Sequence, residues 1–129
     1  ANARSVGAGV DRVRWVRGDL TAEAIPGADG PFDLLVDCCV IDDMRPARRP
    51  AAARTMARLA RPGAQLFLWC FYDNRPGLPP VSLRGPSRLN PEGLARGEEE
   101  TLFGDAFRIR RLPHPPVGSG AAAFLMTRR

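Results

Sequence analysis

The sequence predicts an α/β fold built around a mostly parallel sheet. Two nearly continuous apolar runs, residues 32–41 and 64–71, are typical of strands that are covered on both faces. A helical pattern lies between them, and the order strand, helix, strand forms a crossover unit with parallel strands. An alternating segment at residues 106–112 and an apolar one at 121–127 predict a terminal antiparallel hairpin.

The composition indicates one globular domain. The chain has 129 residues, of which 44% are hydrophobic and 26% are charged, so it can bury a core. No apolar run reaches the roughly 18 residues that a membrane-spanning helix needs, and we therefore expect no membrane protein. Three cysteines, two of them adjacent, do not suit a disulfide framework and indicate a reducing, cytoplasmic compartment.

All basic residues of the chain are arginines, apart from the single histidine. There are 19 basic and 14 acidic residues and no lysine, for a formal net charge of +5. The arginines are spread along the chain among acids and lack an accompanying aromatic pattern, which disfavours nucleic acid as a partner. A non-catalytic, arginine-rich interaction module stays as an alternative, and a steep salt dependence of polyanion binding would support it.

The first segments predict the end of a helix and then a strand. Residues 2–6 fit a last helical turn that a following glycine closes. Residues 11–17 alternate, with Val13 and Trp15 on one face and arginines on the other, which predicts a strand near a sheet edge. Residues 21–31 then form a loop.

The helix between the two apolar runs has clear start and stop signals. Pro50 fits its first turn, where a missing amide hydrogen costs little, and Pro62-Gly63 ends it. Its apolar stripe consists of Ala52, Met56, Leu59 and Ala60.

The C-terminal half begins with a long loop. Residues 72–97 are rich in proline, glycine, serine and asparagine, which is typical of a lid or a substrate-side binding loop. Residues 98–103 predict a short helix whose three glutamates form an acidic first turn, which the helix dipole favours. In the hairpin that follows, the second strand is the more apolar one and is expected on the inside of the sheet.

Four segments resemble, in order, the later part of class I S-adenosylmethionine (SAM) dependent methyltransferases. VRWVRGDL at residues 13–20 is similar to the family's third strand, GPFDLLVD at 30–37 to its fourth, LARPGAQLFL at 59–68 to the start of its fifth, and the hairpin to strands six and seven. The resemblance implies a single partial domain over residues 1–129, with an incomplete Rossmann-like sheet of strands resembling 3 to 7.

The family's glycine-rich first turn and its second strand have no counterpart, because the Gly7-Ala8-Gly9 segment precedes a strand rather than following one. We therefore expect a truncated copy or one part of a longer polypeptide, weakly active or inactive alone. The bare edge of its fourth-strand segment would promote self-association.

The resemblance implies SAM as cofactor, methyl transfer to a small-molecule acceptor, and ligands at the carboxyl ends of the strands. It places Gly18, Asp19 and Leu20 against the adenine, and Asp37 and Cys38 beneath the methyl group. From spacing alone, Asp19 equally suits a turn cap.

Asp42 and Asp43 follow Asp37 on the same loop, where a carboxylate can orient or deprotonate a hydroxyl or an amine. We assign catalysis to Asp37 and Asp42 and substrate contact to Asp43; which of the three acids matters stays open, because loop aspartates also cap helices. Phe71 and Tyr72 leave the fifth-strand segment at the same end of the sheet and are expected to contact the substrate.

Other kinds of site are disfavoured. His114 is the only histidine and has no second ligand at metal spacing, so no metal is expected. Cys38-Cys39 lacks the spacing of a redox pair, and Asp33 is interpreted as structural. A nicotinamide-dependent oxidoreductase shares the parallel-sheet pattern and stays as an alternative, which the Arg61-Pro62-Gly63 segment and the terminal hairpin make less favoured.

Overall fold

The computed structural model describes residues 13–73 and 93–129. Over these residues the chain forms, in order, β1 (Phe32–Cys38), α1 (Arg49–Leu59), β2 (Ala60–Phe71), α2 (Glu98–Phe103), β3 (Phe107–Arg111) and β4 (Ala121–Arg128), with a single 3-10 turn at Pro46–Arg48 before α1. The predictions for residues 2–9, and the part of the predicted loop at 74–92, lie outside the described residues. No helix in the described ranges has the length and apolar character to cross a membrane.

The four strands form one open sheet in the order β1-β2-β4-β3. β1 and β2 are parallel, whereas β4 runs antiparallel to both β2 and β3. The α/β class, the crossover through α1 and the inside position of the last strand are confirmed. β1 and β3 are the outer strands of the sheet.

The predicted strand at residues 11–17 is wrong over its described part. Residues 13–18 have no strand pairing, and Trp15 is 68% exposed. Arg14 instead donates a hydrogen bond from its guanidinium to the carbonyl of Gly27. An alternating pattern specifies two faces but no neighbour, and a strand forms only where a neighbour completes its hydrogen bonds. The sheet accordingly has four strands in the described ranges where five were expected.

Helix α1 ends slightly earlier than the sequence predicts. It stops at Leu59, and β2 already begins at Ala60. Pro62 disfavours a helical conformation for Arg61, which moves the end of the helix upstream. The β1–β2 register then shifts between the pairs Phe32–Ala60 and Leu34–Gln65.

The two faces of the sheet differ in their cover. One face packs against α1 and α2 and contains the core residues Leu66, Leu68, Cys70, Phe124 and Met126. On the other face, Leu34 and Val36 of β1 are 57% and 65% exposed. Strands of parallel sheets are normally buried on both faces, and the sequence predicted this for β1. In the described ranges, this second face of β1 is instead largely exposed.

Candidate functional site at the carboxyl ends of β1 and β2

The parallel pairing brings the ends of β1 and β2 to the same edge of the sheet. Cys38 pairs with Trp69, and the next amide, that of Cys39, donates to the Trp69 carbonyl at 3.0 Å. Cys39 has a φ of 62°, which is uncommon for a residue with a side chain and turns the chain sharply out of the strand. The loop that contains the predicted acids begins at this turn.

Asp37 organises that loop from inside the protein. The residue is buried, and its carboxylate accepts hydrogen bonds from the amides of Val40 at 2.9 Å and Ile41 at 3.3 Å. Burial raises the pKa of Asp37; the two amide bonds oppose this rise, and the charge of Asp43 adds to it. The Asp37 carboxylate therefore fixes the start of this loop. It also lies close enough to Asp43 for the charge of Asp43 to raise its pKa.

Asp42 joins the two loops that leave β1 and β2. It is fully buried, and its Oδ2 accepts a hydrogen bond from the amide of Phe71 at 2.8 Å. Its Oδ1 is buried and has no hydrogen-bond partner among residues 13–73 and 93–129. Burial raises the pKa of Asp42; the Phe71 amide opposes the rise, and the charges of Asp43 and Asp37 add to it. One oxygen of this carboxyl thus lacks the hydrogen bond that a buried polar atom normally has.

The three acids form an electrostatic cluster next to a buried thiol. Asp43 raises the pKa of both other carboxyls, so all three lie within mutual range. Burial raises the pKa of Cys70 strongly, and the charges of Asp42 and Asp37 raise it further. Cys38 is exposed at the same edge of the sheet. In the described part of the chain, no three acidic, cysteine or histidine side chains are arranged to hold a metal ion.

Phe71 and Tyr72 lie on opposite faces of the sheet, as neighbours on a strand do. Phe71 is half-buried, whereas Tyr72 is 5% exposed and its ring lies 5.5 Å from that of Phe124, edge to face. The Tyr72 hydroxyl donates to Glu99 and accepts from the amide of Gly97, both at 3.0 Å. Tyr72 is therefore engaged in the core beneath α2, and its contact with a substrate stays a prediction.

Asp19 lies in the loop before β1 and has partners within the chain. Its Oδ1 accepts from the Thr21 amide at 2.8 Å and from the Thr21 hydroxyl at 2.7 Å, and its Oδ2 accepts from Arg48 at 2.9 Å. The Thr21 amide lowers the pKa of Asp19 most, followed by the Thr21 hydroxyl, with Arg48 acting in the same direction. Gly18 is exposed and Leu20 packs against the core. These hydrogen bonds are those of the turn cap that the spacing equally predicted for Asp19. The contact of Gly18, Asp19 and Leu20 with adenine stays a prediction.

Sequence reasoning missed Arg49, the residue that ties this region together. It is 1% exposed, and its Nε donates to the Met44 carbonyl at 3.1 Å. Its Nη1 donates to both oxygens of Glu98 at 2.8 and 2.9 Å. Its Nη2 donates to the carbonyls of Asp42 and Gly93 at 2.8 and 3.0 Å. All five N–H groups of the guanidinium have acceptors, and two of these belong to the acidic loop.

A signal for Arg49 was present in the sequence. It lies three and seven residues before Ala52 and Met56, so it falls on the apolar stripe of α1, where a charged side chain needs buried partners. Glu98 was interpreted only as part of an acidic first turn, and it does accept a hydrogen bond from the amide of Ala95 at 2.8 Å. Glu98 and Arg49 are 49 positions apart in the sequence, and local sequence patterns do not predict such a contact.

Comparisons with known proteins locate the fold. No protein-family model matches the chain, and no curated protein matches it. Among solved structures, one from work on the conversion of a disulfide bond into a thioacetal group during echinomycin biosynthesis aligns with a TM-score of 0.53 at 16% identity. The Burkholderia thailandensis 1,6-didemethyltoxoflavin-N1-methyltransferase, with 1,6-didemethyltoxoflavin and S-adenosylhomocysteine bound, aligns with a TM-score of 0.54 at 19% identity.

The alignments take in most of this chain and about half of each solved one. They cover 86% and 92% of this chain, but 54% and 51% of the other two. The chain therefore has a small, open, mixed α/β fold that resembles part of a Rossmann-like methyltransferase fold.

Proposed function

We propose that this chain is part of a SAM-dependent methyltransferase that acts on a small-molecule acceptor. The observation that carries the proposal is the acidic cluster at the carboxyl edge of a sheet that aligns over 92% of the chain with a methyltransferase. In open α/β sheets, ligands bind outside the carboxyl ends of the strands, which is the edge where Asp37, Asp42 and Asp43 lie.

The charges at this edge suit the cofactor. SAM supplies a methyl group on a positively charged sulfonium, already activated for transfer. The protein therefore has to bind the cofactor, orient it towards the acceptor and stabilise the transition state. Three carboxylates within range of one another create a negative potential that attracts such a cation. Asp37 and the exposed Cys38 are the residues that would hold the sulfonium side, with Gly18 to Leu20 as the proposed adenine contacts.

Asp42 is the better candidate for a base among the acids. Asp37 already accepts two amide hydrogen bonds, whereas Asp42 keeps one buried oxygen without a partner in the described ranges. Burial raises the pKa of Asp42, which makes its carboxylate a better proton acceptor than an ordinary aspartate. Half-buried Phe71, whose amide Asp42 holds at 2.8 Å, would contact the acceptor at this edge.

We further propose that the chain acts together with an additional polypeptide segment. It spans about half the length of the two solved chains, and the apolar side chains Leu34 and Val36 of the outer strand β1 are exposed. A strand added at β1 would cover part of this surface and complete the hydrogen bonds of its edge. Alone, the 129 residues should bind SAM weakly.

Saturation-transfer NMR with SAM tests the methyltransferase proposal, because it detects weak binding. We expect transfer to SAM from the wild-type chain, reduced by Asp42→Asn because one of the negative charges that attract the sulfonium is lost, and unaffected by Arg110→Ala, which removes an exposed side chain of β3. NAD⁺ is measured in parallel. Transfer to NAD⁺ alone would favour the oxidoreductase alternative, and absence of transfer to either ligand would contradict the proposal.

A separate experiment tests the part-domain proposal. The chain is extended by the coding sequence that precedes Ala1, and its SAM affinity is compared with that of the 129 residues by isothermal titration. We expect the extended polypeptide to bind more tightly and to lose affinity on Asp19→Ala. Tight binding by the 129 residues alone would overturn the part-domain proposal and leave the methyltransferase proposal standing.

A further inference from the structure

A cleft outside the carboxyl-end site lies between the loop that follows residue 20 and helix α1. Its volume is about 470 Å³, and its lining includes Thr21, Glu23, Thr55 and the two arginines Arg54 and Arg58. The buried Thr55 donates from its hydroxyl to the carbonyl of Ala22 at 3.0 Å, which fixes the loop against the helix. The wall of the cleft is therefore anchored by a tertiary hydrogen bond.

The two arginines of the cleft carry charges that nothing in residues 13–73 and 93–129 neutralises by direct contact. Arg54 and Arg58 are both exposed and lie one helical turn apart, where like charges repel. Other arginines in and around α1 pair with acids: Arg48 with Asp19, Arg49 with Glu98, and Arg61 with Asp33. Arg54 and Arg58 form no such ion pair in the described ranges, and both line the same cleft, which makes its wall locally positive.

We propose that this cleft binds a phosphate-bearing small anion. The planar donor forks of Arg54 and Arg58 match the geometry of phosphate oxygens and would both bond to one ligand. A bound dianion would also remove the repulsion between the two side chains. Among the described residues that line the cleft, Glu23 is the single acid, and the lining keeps an excess of one positive charge. The proposal does not depend on the methyltransferase proposal, because it concerns anion binding alone.

Isothermal titration with inorganic pyrophosphate at low ionic strength tests the site, since screening is then weak. We expect Arg54→Ala and Arg58→Ala each to lower the affinity by roughly tenfold, as expected for lost charge-assisted hydrogen bonds. Glu23→Gln should raise the affinity because it removes the opposing charge. Arg110→Ala is the matched control: it deletes an exposed arginine on β3, gives the same change in net charge, and should leave the affinity unchanged.

NMR chemical shifts locate the bound probe independently of its affinity. Pyrophosphate should shift the amide signals of Thr21 and Thr55, and inorganic phosphate and ADP, titrated separately, distinguish a free anion from a nucleotide as the source of the group. Equal losses from Arg110→Ala and Arg54→Ala would mean diffuse attraction and would overturn the proposal. Weaker binding by Glu23→Gln, or no pyrophosphate binding by the wild-type chain, would overturn it as well.

Discussion

Arg49 and Glu98 form an almost fully buried ion pair between the first turns of the two helices. Both carboxylate oxygens of Glu98 lie within 2.9 Å of Nη1 of Arg49, and the side chains are 2% and 20% exposed. Removing the cation leaves a largely buried carboxylate and three backbone carbonyls without this donor, so Arg49→Ala should lower the free energy of unfolding by about 3–5 kcal/mol. Urea denaturation followed by circular dichroism measures the loss.

The matched control for this pair is the surface pair of Arg61 and Asp33. Their side chains are 51% and 78% exposed, so Arg61→Ala should cost less than about 1 kcal/mol. If Arg49→Ala does not fold, Arg49→Lys serves instead, because it keeps the charge but has three donors in place of five. A loss from either Arg49 variant no larger than that from Arg61→Ala would contradict the assigned role.

The order of the elements could be predicted from the sequence because it depends on local signals. The apolar runs, the proline and glycine signals around α1 and the turn before β4 each specify an element without information from distant residues. The prediction of a strand at residues 11–17 failed over its described part, residues 13–17, where the alternation of Val13 and Trp15 was real but a pairing strand was not available in the described sheet. A strand depends on its neighbour, which its own pattern does not specify.

For the candidate site, the positions of the acids could be predicted from the sequence, but their long-range contacts could not. Parallel strands bring their carboxyl ends together, so the positions of Asp37 and Asp42 followed from the fold class. The hydrogen bond from the Phe71 amide to Asp42 spans 29 residues, and it distinguishes Asp42 from the other acids. Such long-range contacts arise from packing and have no signature in sequence spacing.

The buried carboxyl of Asp42 should make stability fall as the pH rises. Its pKa in the folded chain lies above the ordinary 3.8, so between these two values the folded chain binds more protons than the unfolded one. Deprotonation in this range therefore favours the unfolded state. Asp42→Asn keeps an acceptor for the Phe71 amide and should reduce this decline, as urea denaturation across a pH series from 4 upward would measure.

Asp19 provides a control of opposite sign. Hydrogen bonds from Thr21 lower its pKa, so the ionised form stabilises the fold at neutral pH and this contribution is lost as the pH falls below 3.8. Asp19→Asn should therefore be less stable than the wild-type chain at neutral pH, with the difference vanishing on acidification.

A pH profile of Asp42→Asn that matches the wild-type profile would refute the role given to Asp42.

The three cysteines should differ widely in alkylation. Cys38 is exposed, whereas Cys70 is fully buried and burial raises its pKa, which disfavours the reactive thiolate. Iodoacetamide should therefore modify Cys38 in the folded chain and Cys70 only after unfolding in urea, as peptide mass spectrometry would measure. Cys38→Ser distinguishes this modification from that of adjacent Cys39.

The same reaction tests the proposed place of Cys38 in the cofactor site. Excess S-adenosylhomocysteine should slow the alkylation of Cys38 if the bound ligand covers the end of β1. An unchanged rate at a ligand concentration where NMR detects binding would remove Cys38 from the proposed cofactor contacts.

The exposed outer strand β1 should make the chain self-associate. Val36 is 65% exposed next to Leu34 at 57%, and exposed apolar side chains on an outer strand promote strand pairing between molecules. Val36→Glu should reduce concentration-dependent association in sedimentation velocity experiments. Val117→Glu is the matched control, since Val117 is 74% exposed in the segment between β3 and β4. An equal effect of both variants would indicate a general effect of charge.

Gly93 lies where its backbone approaches β2 too closely for any side chain. A Cβ there would lie 2.2 Å from the carbonyl oxygen of Phe71, and the residue has a φ of +69°. The Leu94 amide bonds to the same carbonyl at 2.9 Å, and the Gly93 carbonyl accepts from Arg49. Gly93→Ala must therefore separate two backbones and weaken both hydrogen bonds.

Gly97→Ala separates this clash from simple backbone strain. Gly97 has a φ of +84°, and a Cβ on this residue would have no atom within 4 Å, so alanine there meets only the left-handed strain of about 1–2 kcal/mol. Gly93→Ala carries the same strain and should lose at least about 1 kcal/mol more through its hydrogen bonds. Because those bonds hold the segment before α2 against β2 and Arg49, equal losses from the two variants in urea denaturation would show that this segment does not depend on the close approach.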